Sequence, residues 1–535
     1  MTTIFSSKHL RSSVSATCIV AALMMGACGP KDKGGNPVIS AETAPLCLSR
    51  LSDKVFARHF AIPNRKIDNA DAQNALAALG LSESNSDELF WEQHSGSNGN
   101  YVFTNMQNTS EDGEITIEKA QFFGVRMEDG NATFDRADFE GFSLSGNGVS
   151  LKVDAMSLAR PTADTAKAII KSLENLNEDI SLDFGEDAKF GFGALSMKTA
   201  DITAEGLTGT IDQLVWGLDE DTQRADMKLE NFDFSLLSST SDIASVMTLK
   251  SFSARDYNFK DLAKSFVSSA NGAQPSLATL LSGLNPYEKP YDSINIEGFV
   301  FDSADMNIDI SKIEAQASVK GDITTIAQVL APMTIKIKDT NINASNQIAN
   351  TISQLNFDTL TFKSSQTTIL DKANDTAEVK DGILDLADGF RLNYTYETSG
   401  LKVLEELGVD EDTTDIDNIL NNLNINGLTL SLEDNSIVER GLGLAAQIRE
   451  KDINAVKREM RAALAFAPLA TRNEVEKDIV SQLGRAFMNF IDDGGTLTVQ
   501  LNPPTPLALS RFENMETLSP EDVGFSARQD SKTDE

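Results

Sequence analysis

The stretch FEGFSLSGNGVSLKVDAM, residues 139–156, decides the reading of the fold. Apolar and polar side chains alternate along it, so one face of each strand is buried and the other wet. That is the behaviour of an antiparallel sheet. Gly141 interrupts the first strand, and a glycine inside a strand marks a bulge or bend. A weak repeat of it returns at residues 296–313 as IEGFVFDSADMNIDISKI. At one fixed offset Val149, Leu151, Val153 and Met156 match Met306, Ile308, Ile310 and Ile313. The opening phrase recurs as Ala204-Glu205-Gly206-Leu207, Leu229-Glu230-Asn231-Phe232 and Ile425-Asn426-Gly427-Leu428. Recurrence of this kind predicts a strand module that buries its apolar face by stacking on its neighbours.

Outward from these segments, alternation begins near Tyr101 and includes Ile180-Leu182-Phe184, Met227-Leu229 and Thr334-Ile335-Lys336-Ile337. Short helices are expected at Pro161 to Leu173, Asn258 to Val267, Ile323 to Leu330 and Gln347 to Leu355. After Leu432 the period becomes helical over Ile437 to Glu450, Asp452 to Phe466 and Asn473 to Ile491. The second of these carries Lys457, Arg458 and Arg461. A closing strand follows at Gly495 to Leu501. The fold class expected is mainly β with accessory helices: a long, antiparallel, partly repetitive curved sheet with a helical C-terminal part.

The chain has 535 residues, and residues 1–13 carry Lys8 and Arg11 without an acid. The run VSATCIVAALMMGAC, Val14 to Cys28, is too short to span a bilayer as a helix, which needs about 20 apolar residues. A basic start, a short apolar run and a small-residue exit describe a secretory signal. The exit Met25-Gly26-Ala27-Cys28 resembles the lipobox of bacterial lipoproteins. That likeness implies cleavage before Cys28 and acylation of Cys28; Met25 stands where the family usually has Leu. A plain cleaved signal is the alternative. Gly29, where an Asp would imply inner-membrane retention, leans toward the outer membrane. The order expected is a signal peptide over 1–27, a flexible tether over 28–45, a small helical head over 46–100 and the β body over 101–432. A helical region with a closing strand over 433–512 and a disordered acidic tail over 513–535 complete it.

This start and the long run of short amphipathic strands resemble bacterial envelope proteins of the AsmA-like and YdgA-like kind, and the closing arrangement of Leu432-Glu433-Asp434, helices and Leu501-Asn502-Pro503-Pro504-Thr505-Pro506 resembles uncharacterised Gram-negative envelope proteins. The likeness covers most of residues 100–510. It implies a long curved antiparallel sheet forming a groove associated with lipid movement between membranes, and it carries over no functional residue.

Net charge is −34, which argues against nucleic acid as a partner. Of three cysteines, Cys18 leaves with the signal, Cys28 is the lipidation residue and Cys47 stands alone, so a disulfide framework and a cysteine zinc site are excluded. Without lipidation, a Cys28–Cys47 bridge becomes open to the chain. His59 and His94 are the histidines beyond the signal, too few for a multi-histidine metal centre; His94 reads as a loop residue. Gly441-Leu442-Gly443-Leu444-Ala445-Ala446 imitates a dinucleotide loop but follows no βαβ strand. Asp410-Glu411-Asp412 with Asp415 and Asp417 lacks the ordered spacing of a calcium loop. Trp91 and Trp216 read as core.

No catalytic, cofactor or metal residue is expected. The function expected is a non-catalytic role in envelope maintenance, with the membrane as partner through acyl chains on Cys28 and lipids along the sheet. The alternatives are a carboxylate-based hydrolase of envelope glycans and a cation-dependent surface interaction protein. Metabolic labelling with a fatty acid checks the anchor: wild type takes up label and Cys28→Ala does not, whereas a labelled Cys28→Ala would refute it.

Overall fold

Among the described residues, period-two alternation becomes extended strand, in a chain that is mainly β with accessory helices. The computed structural model describes residues 54–531, apart from 85–88, 111–112, 147, 175–190, 205, 220, 238–243, 259–286, 304–305, 339–353, 356, 405–415, 472 and 513–514. It divides into two units between Ala263 and Lys264.

The first unit opens with α1 (Lys54–Ala57), a 3-10 turn (Arg58–Phe60) and α2 (Asn69–Ala78). Strands β1 (Gln93–Ser97), β2 (Asn100–Ser110) and β3 (Gly113–Phe123) follow, then a small hairpin of β4 (Arg126–Glu128) and β5 (Asn131–Thr133). After β6 (Arg136–Gly146) and β7 (Val149–Pro161), α3 (Ala163–Glu174) precedes β8 (Phe192–Ala204), β9 (Leu207–Asp219), β10 (Arg224–Leu237) and β11 (Ala244–Asn258). Apart from the β4–β5 hairpin, each strand pairs antiparallel with the next.

One residue pair is skipped at the same level on the ladders from β2 to β11. Between β2 and β3 the register passes from Thr104–Lys119 to Met106–Ile117, leaving out Asn105 and Glu118. The gap continues through Gly141, Asp154, Thr199, Asp212, Asn231 and Lys250 on successive strands. On alternate strands the skipped residue has positive φ: Asn105 50°, Gly141 61°, Thr199 47° and Asn231 47°. Residues three apart in a plain strand face opposite ways. The inserted left-handed residue re-aims the chain, as a bulge does. Phe139 and Phe142, Val153 and Met156, and Ile211 and Leu214 therefore share one apolar face.

In the second unit β12 (Ser293–Asp302), β13 (Met306–Lys320), β14 (Ile323–Ile337), β15 (Thr359–Asp371), β16 (Thr376–Leu386) and β17 (Phe390–Ser399) again pair in order. After α4 (Ile416–Asn422), β18 (Asn424–Asp434) extends the sheet. The helical layer is α5 (Ile437–Ile448), α6 (Ile453–Phe466), a 3-10 turn (Ala467–Ala470) and α7 (Glu474–Asp493). The chain ends with β19 (Thr496–Leu501), β20 (Leu507–Ala508), α8 (Pro520–Val523) and β21 (Phe525–Asp530). The repeat is real in register: Phe142–Val153 and Phe139–Met156 on β6–β7 correspond to Phe299–Ile310 and Ile296–Ile313 on β12–β13. Gly298 has the φ of Gly141, 61°.

Several expectations need correction. Ile323 to Leu330 is strand β14, not helix. Ile326 and Leu330 face their partners Ala317 and Ile313, while Val329 lies on the other side and is exposed; β-branched residues fit a pleated surface. The tail at 513–535 is not disordered where it is described. Ser519 and Asp522 form a capping box, Gly524 closes α8 at φ 60°, and β21 pairs with β19 from Phe525–Leu501 to Asp530–Thr496. Strand begins before Tyr101, because Asn98 and Gly99 (φ 53° and 81°) make a two-residue hairpin that places His94 on β1. Gly206 (φ 72°) sits at the β8–β9 hairpin rather than inside a strand. Asn258, the expected start of one helix, ends β11; the rest of that helix over 259–267, most of the one at 347–355, the strand at 180–184, and Cys28 and Cys47 lie outside the described residues.

A non-glycine residue in the left-handed region costs roughly 1–2 kcal/mol, less for Asn. Gly298→Ala is therefore expected to lower stability by about 1 kcal/mol, and Thr199→Asn to raise it, read as opposite shifts of the denaturation midpoint. Equal, small shifts in both would show that the skipped row bears no strain.

Candidate functional site

On the face opposite its main core, the first unit holds a buried ionic clamp. Ala155, Ala159, Ala194 and Val215 line a shallow bed of small side chains in which Phe56 and Phe60 are buried. Gly217 lies directly under the His59 ring, with no room for a Cβ. His59 Nε2–H donates to Asp226 Oδ2 at 2.8 Å, and Arg58 reaches the same oxygen at 2.8 Å. The Asp256 amide donates to Asp226 Oδ1 at 2.9 Å. Arg160 donates to the carbonyls of His59 at 2.5 Å and Leu218 at 3.2 Å, and Arg136 to that of Phe60 at 3.0 Å. Burial pushes the Asp226 carboxyl up. The His59 and Asp256 hydrogen bonds and the His59 and Arg58 charges outweigh it and hold the group at about 2. His59 is 4% exposed and its Nε2 is committed to Asp226. The pair fastens residues 54–60 to the sheet.

The two units treat their apolar faces differently. In the first, Tyr101, Phe103, Met106, Ile117 and Phe122 are all essentially inaccessible, covered by α2 and α3 through Ala75, Leu76, Ala166 and Ile170. In the second, no apolar side chain of β12 is fully buried, and of β13 only Ala315 is. Register places Phe299, Ile310, Met333 and Phe362 in one row across β12–β15, and Leu384, Leu392, Leu432 and Leu497 in another across β16–β19. Phe299, Ile310, Met333, Leu384, Leu392 and Leu430 are half-buried.

The face has edges. Over β19 and β21, α7 lays Ala486 and Phe490 against Leu497, with Leu432, Val499 and Ala527 beside them. At one end Phe357 packs on Leu360 and Leu386. At the other, Tyr287 packs on Leu370 and Ala377. Before that end a polar ladder crosses the strands: Tyr394 donates to Gln366 at 2.8 Å, Gln366 to Gln328 at 2.6 Å and Gln328 to Tyr291 at 3.2 Å. The Tyr394 ring lies flat over Gly382, where a Cβ would collide with it. Burial, with Tyr396 adding to it, holds the Tyr394 hydroxyl above its usual range, so it remains a donor. The result is a half-buried apolar face with a neutral hydrogen-bonding rim.

A second depression, about 300 Å³, lies around Gly427 between Glu378, Glu397, Thr429 and Gln500. Its carboxylates are engaged: Glu378 with Lys380 at 3.0 Å and Glu397 with Asn426 at 3.3 Å. Among the described residues no group of three or more His, Cys, Asp or Glu is placed to hold a metal ion. Asp410, Glu411, Asp412 and Asp415 lie outside those residues, and Asp417 sits in the first turn of α4. Gly441 to Ala446 is interior to α5, with Leu442 and Ala446 buried. Trp91 is buried against Phe103, while Trp216 is half-buried against Phe192. His94 is exposed on β1 and stacks on Phe103 at 4.8 Å. Among the described residues no helix is long and apolar enough to cross a membrane.

Sequence reasoning missed the clamp and the ladder, whose partners are far apart in the chain. The signal for the clamp was a buried histidine beside two phenylalanines. For the ladder it was Gln328 and Gln366 at apolar positions of alternating strands.

A family model described only as an uncharacterized protein matches residues 383–527, from within β16 into β21. No curated protein matches the chain.

Asp226 sits below its unfolded value, so its contribution is present above about pH 4 and lost as pH falls toward 2, worth about 2 kcal/mol. Asp226→Asn is expected to lower the wild-type midpoint at pH 7 by that order and to flatten the acid limb. An unchanged acid limb would remove Asp226 from the account.

Proposed function

We propose that the chain is a non-catalytic, lipid-anchored protein of the bacterial envelope, held through Cys28 with the outer membrane favoured, whose second unit shelters acyl chains. The observation carrying this reading is the half-buried apolar face of β12–β18. Monomeric proteins rarely leave large contiguous apolar patches in water, and those that remain mark binding surfaces. Each half-exposed side chain forgoes burial worth roughly 25 cal/mol per Å², which a hydrocarbon chain laid across the strands supplies. The Tyr394–Gln366–Gln328–Tyr291 rim adds selectivity. It is uncharged, so it suits an amphiphile whose head offers hydroxyls or amides, and the acidic body disfavours a strongly anionic head.

Native mass spectrometry of the purified full chain, with extraction and identification of bound lipid, tests this. Wild type retains lipid, Leu392→Glu with Leu430→Glu loses it, and Gln366→Leu keeps the amount but broadens the head groups. Absence of lipid from wild type, or its retention by the double variant, would overturn the proposal.

A further inference from the structure

We propose that the outward face of α6 is a contact surface for an anionic membrane. One side of this helix is spoken for: Val456 is buried with Leu442, Ala446 and Ile491, Met460 packs beside them, and Leu464 lies against Gly484 of α7. The other side carries Arg458, Arg461, Ala462, Ala465 and Phe466, all exposed and spaced three, four, seven and eight residues from the first. That spacing is one helical stripe. Leu469 follows on the 3-10 turn. Phe466 is 67% exposed and Leu469 78%; with Ile448 at 69% they are the most accessible large apolar side chains among the described residues.

The charge on the stripe is opposite to that of the body. The chain carries −34, yet α6 has Lys457, Arg458 and Arg461 against Glu459 alone. Glu459 is occupied by Arg449 at 3.2 Å and by Lys451. Arg461 meets Asp492, and Lys457 caps the Ile491 carbonyl at 2.9 Å. Arg458 has no carboxylate partner among the described residues. An anionic surface repels the acidic body and attracts this patch, so contact is confined to α6. Phe466 and Leu469 then enter the interface beside the guanidinium groups, as apolar residues of interfacial helices do. This surface is independent of the half-buried apolar face of β12–β17, whose ligand would leave Phe466 in water.

The test reconstitutes the full chain with Phe466→Trp on vesicles of phosphatidylglycerol and phosphatidylcholine bearing brominated acyl chains, read as a difference from the parent's Trp91 and Trp216 emission. Val329→Trp, exposed on β14 on the side away from Ile326 and Leu330, is the control. On vesicles rich in phosphatidylglycerol the added emission of the Phe466→Trp variant shifts blue and is quenched, while that of the Val329→Trp variant does not change. Combining Phe466→Trp with Arg458→Gln weakens the effect about fivefold, and raised salt removes it. Equal quenching on pure phosphatidylcholine, or none on either, overturns the proposal. So does a lipid-free dimer that Phe466→Glu dissociates, since a second copy would then own the surface.

Discussion

The skipped pair that crosses the first unit from Asn105 to Lys250 is the constraint on which the sheet depends. The strands are long, thirteen residues in β7 and fifteen in β11, and the skipped pair breaks their period of two once along the way. One left-handed residue on every second strand, opposed by a polar residue on its neighbour, absorbs the change. Phe139 and Phe142, Val153 and Met156, and Ile211 and Leu214 then lie on one side of their strands, while Ala155, Ala159, Ala194 and Val215 form the bed on the other. Gly141 and Gly298 occupy this position at no steric cost. Asn105, Asn231 and especially Thr199 occupy it with strain that the ladders on both sides hold in place.

A one-sided apolar surface can be closed or left open, and the chain does both. In the first unit α2 and α3 cover one face, and the Phe56–Phe60 segment is clamped to the other by Asp226. In the second unit α7 covers the strands nearest the C-terminus, while β12–β17 keep half-buried side chains between two packed ends. The difference lies in where helices fall in the chain. The helical layer is inserted between β18 and β19, so it folds back over its own strands. Its outer helix shows the same division, with an apolar inner side and a mixed basic and apolar outer one.

Much of this was legible in the sequence because two signals were strong. Alternation identified the strands, and the Glu-Gly and Glu-Asn phrases marked Gly141, Asn231 and Gly298 as interruptions. The three C-terminal helices and α3 showed clean helical spacing. Ile323 to Leu330 misled because Ile323, Ile326, Val329 and Leu330 also fit a helix, and only pairing with β13 decides between the periods. The tail misled because polar composition hid a capping box and a strand whose inward face carries only two apolar side chains, Phe525 and Ala527, beside Gln529. The Asp226–His59 contact and the glutamine ladder were not read from the sequence, since neither charge nor spacing pairs residues so far apart in the chain.

The central claim is that the apolar face of the second unit is an acyl-chain surface rather than an incompletely packed core. Site-specific photo-crosslinking in living cells addresses it directly. Met333 and Thr334 are neighbours on β14 that face opposite sides, the first in the apolar row and the second outside it. A photoreactive residue at 333 is expected to capture lipid, and the same residue at 334 is not. Capture of the protein's own chain at 333, or lipid in equal amount at both positions, would contradict the account.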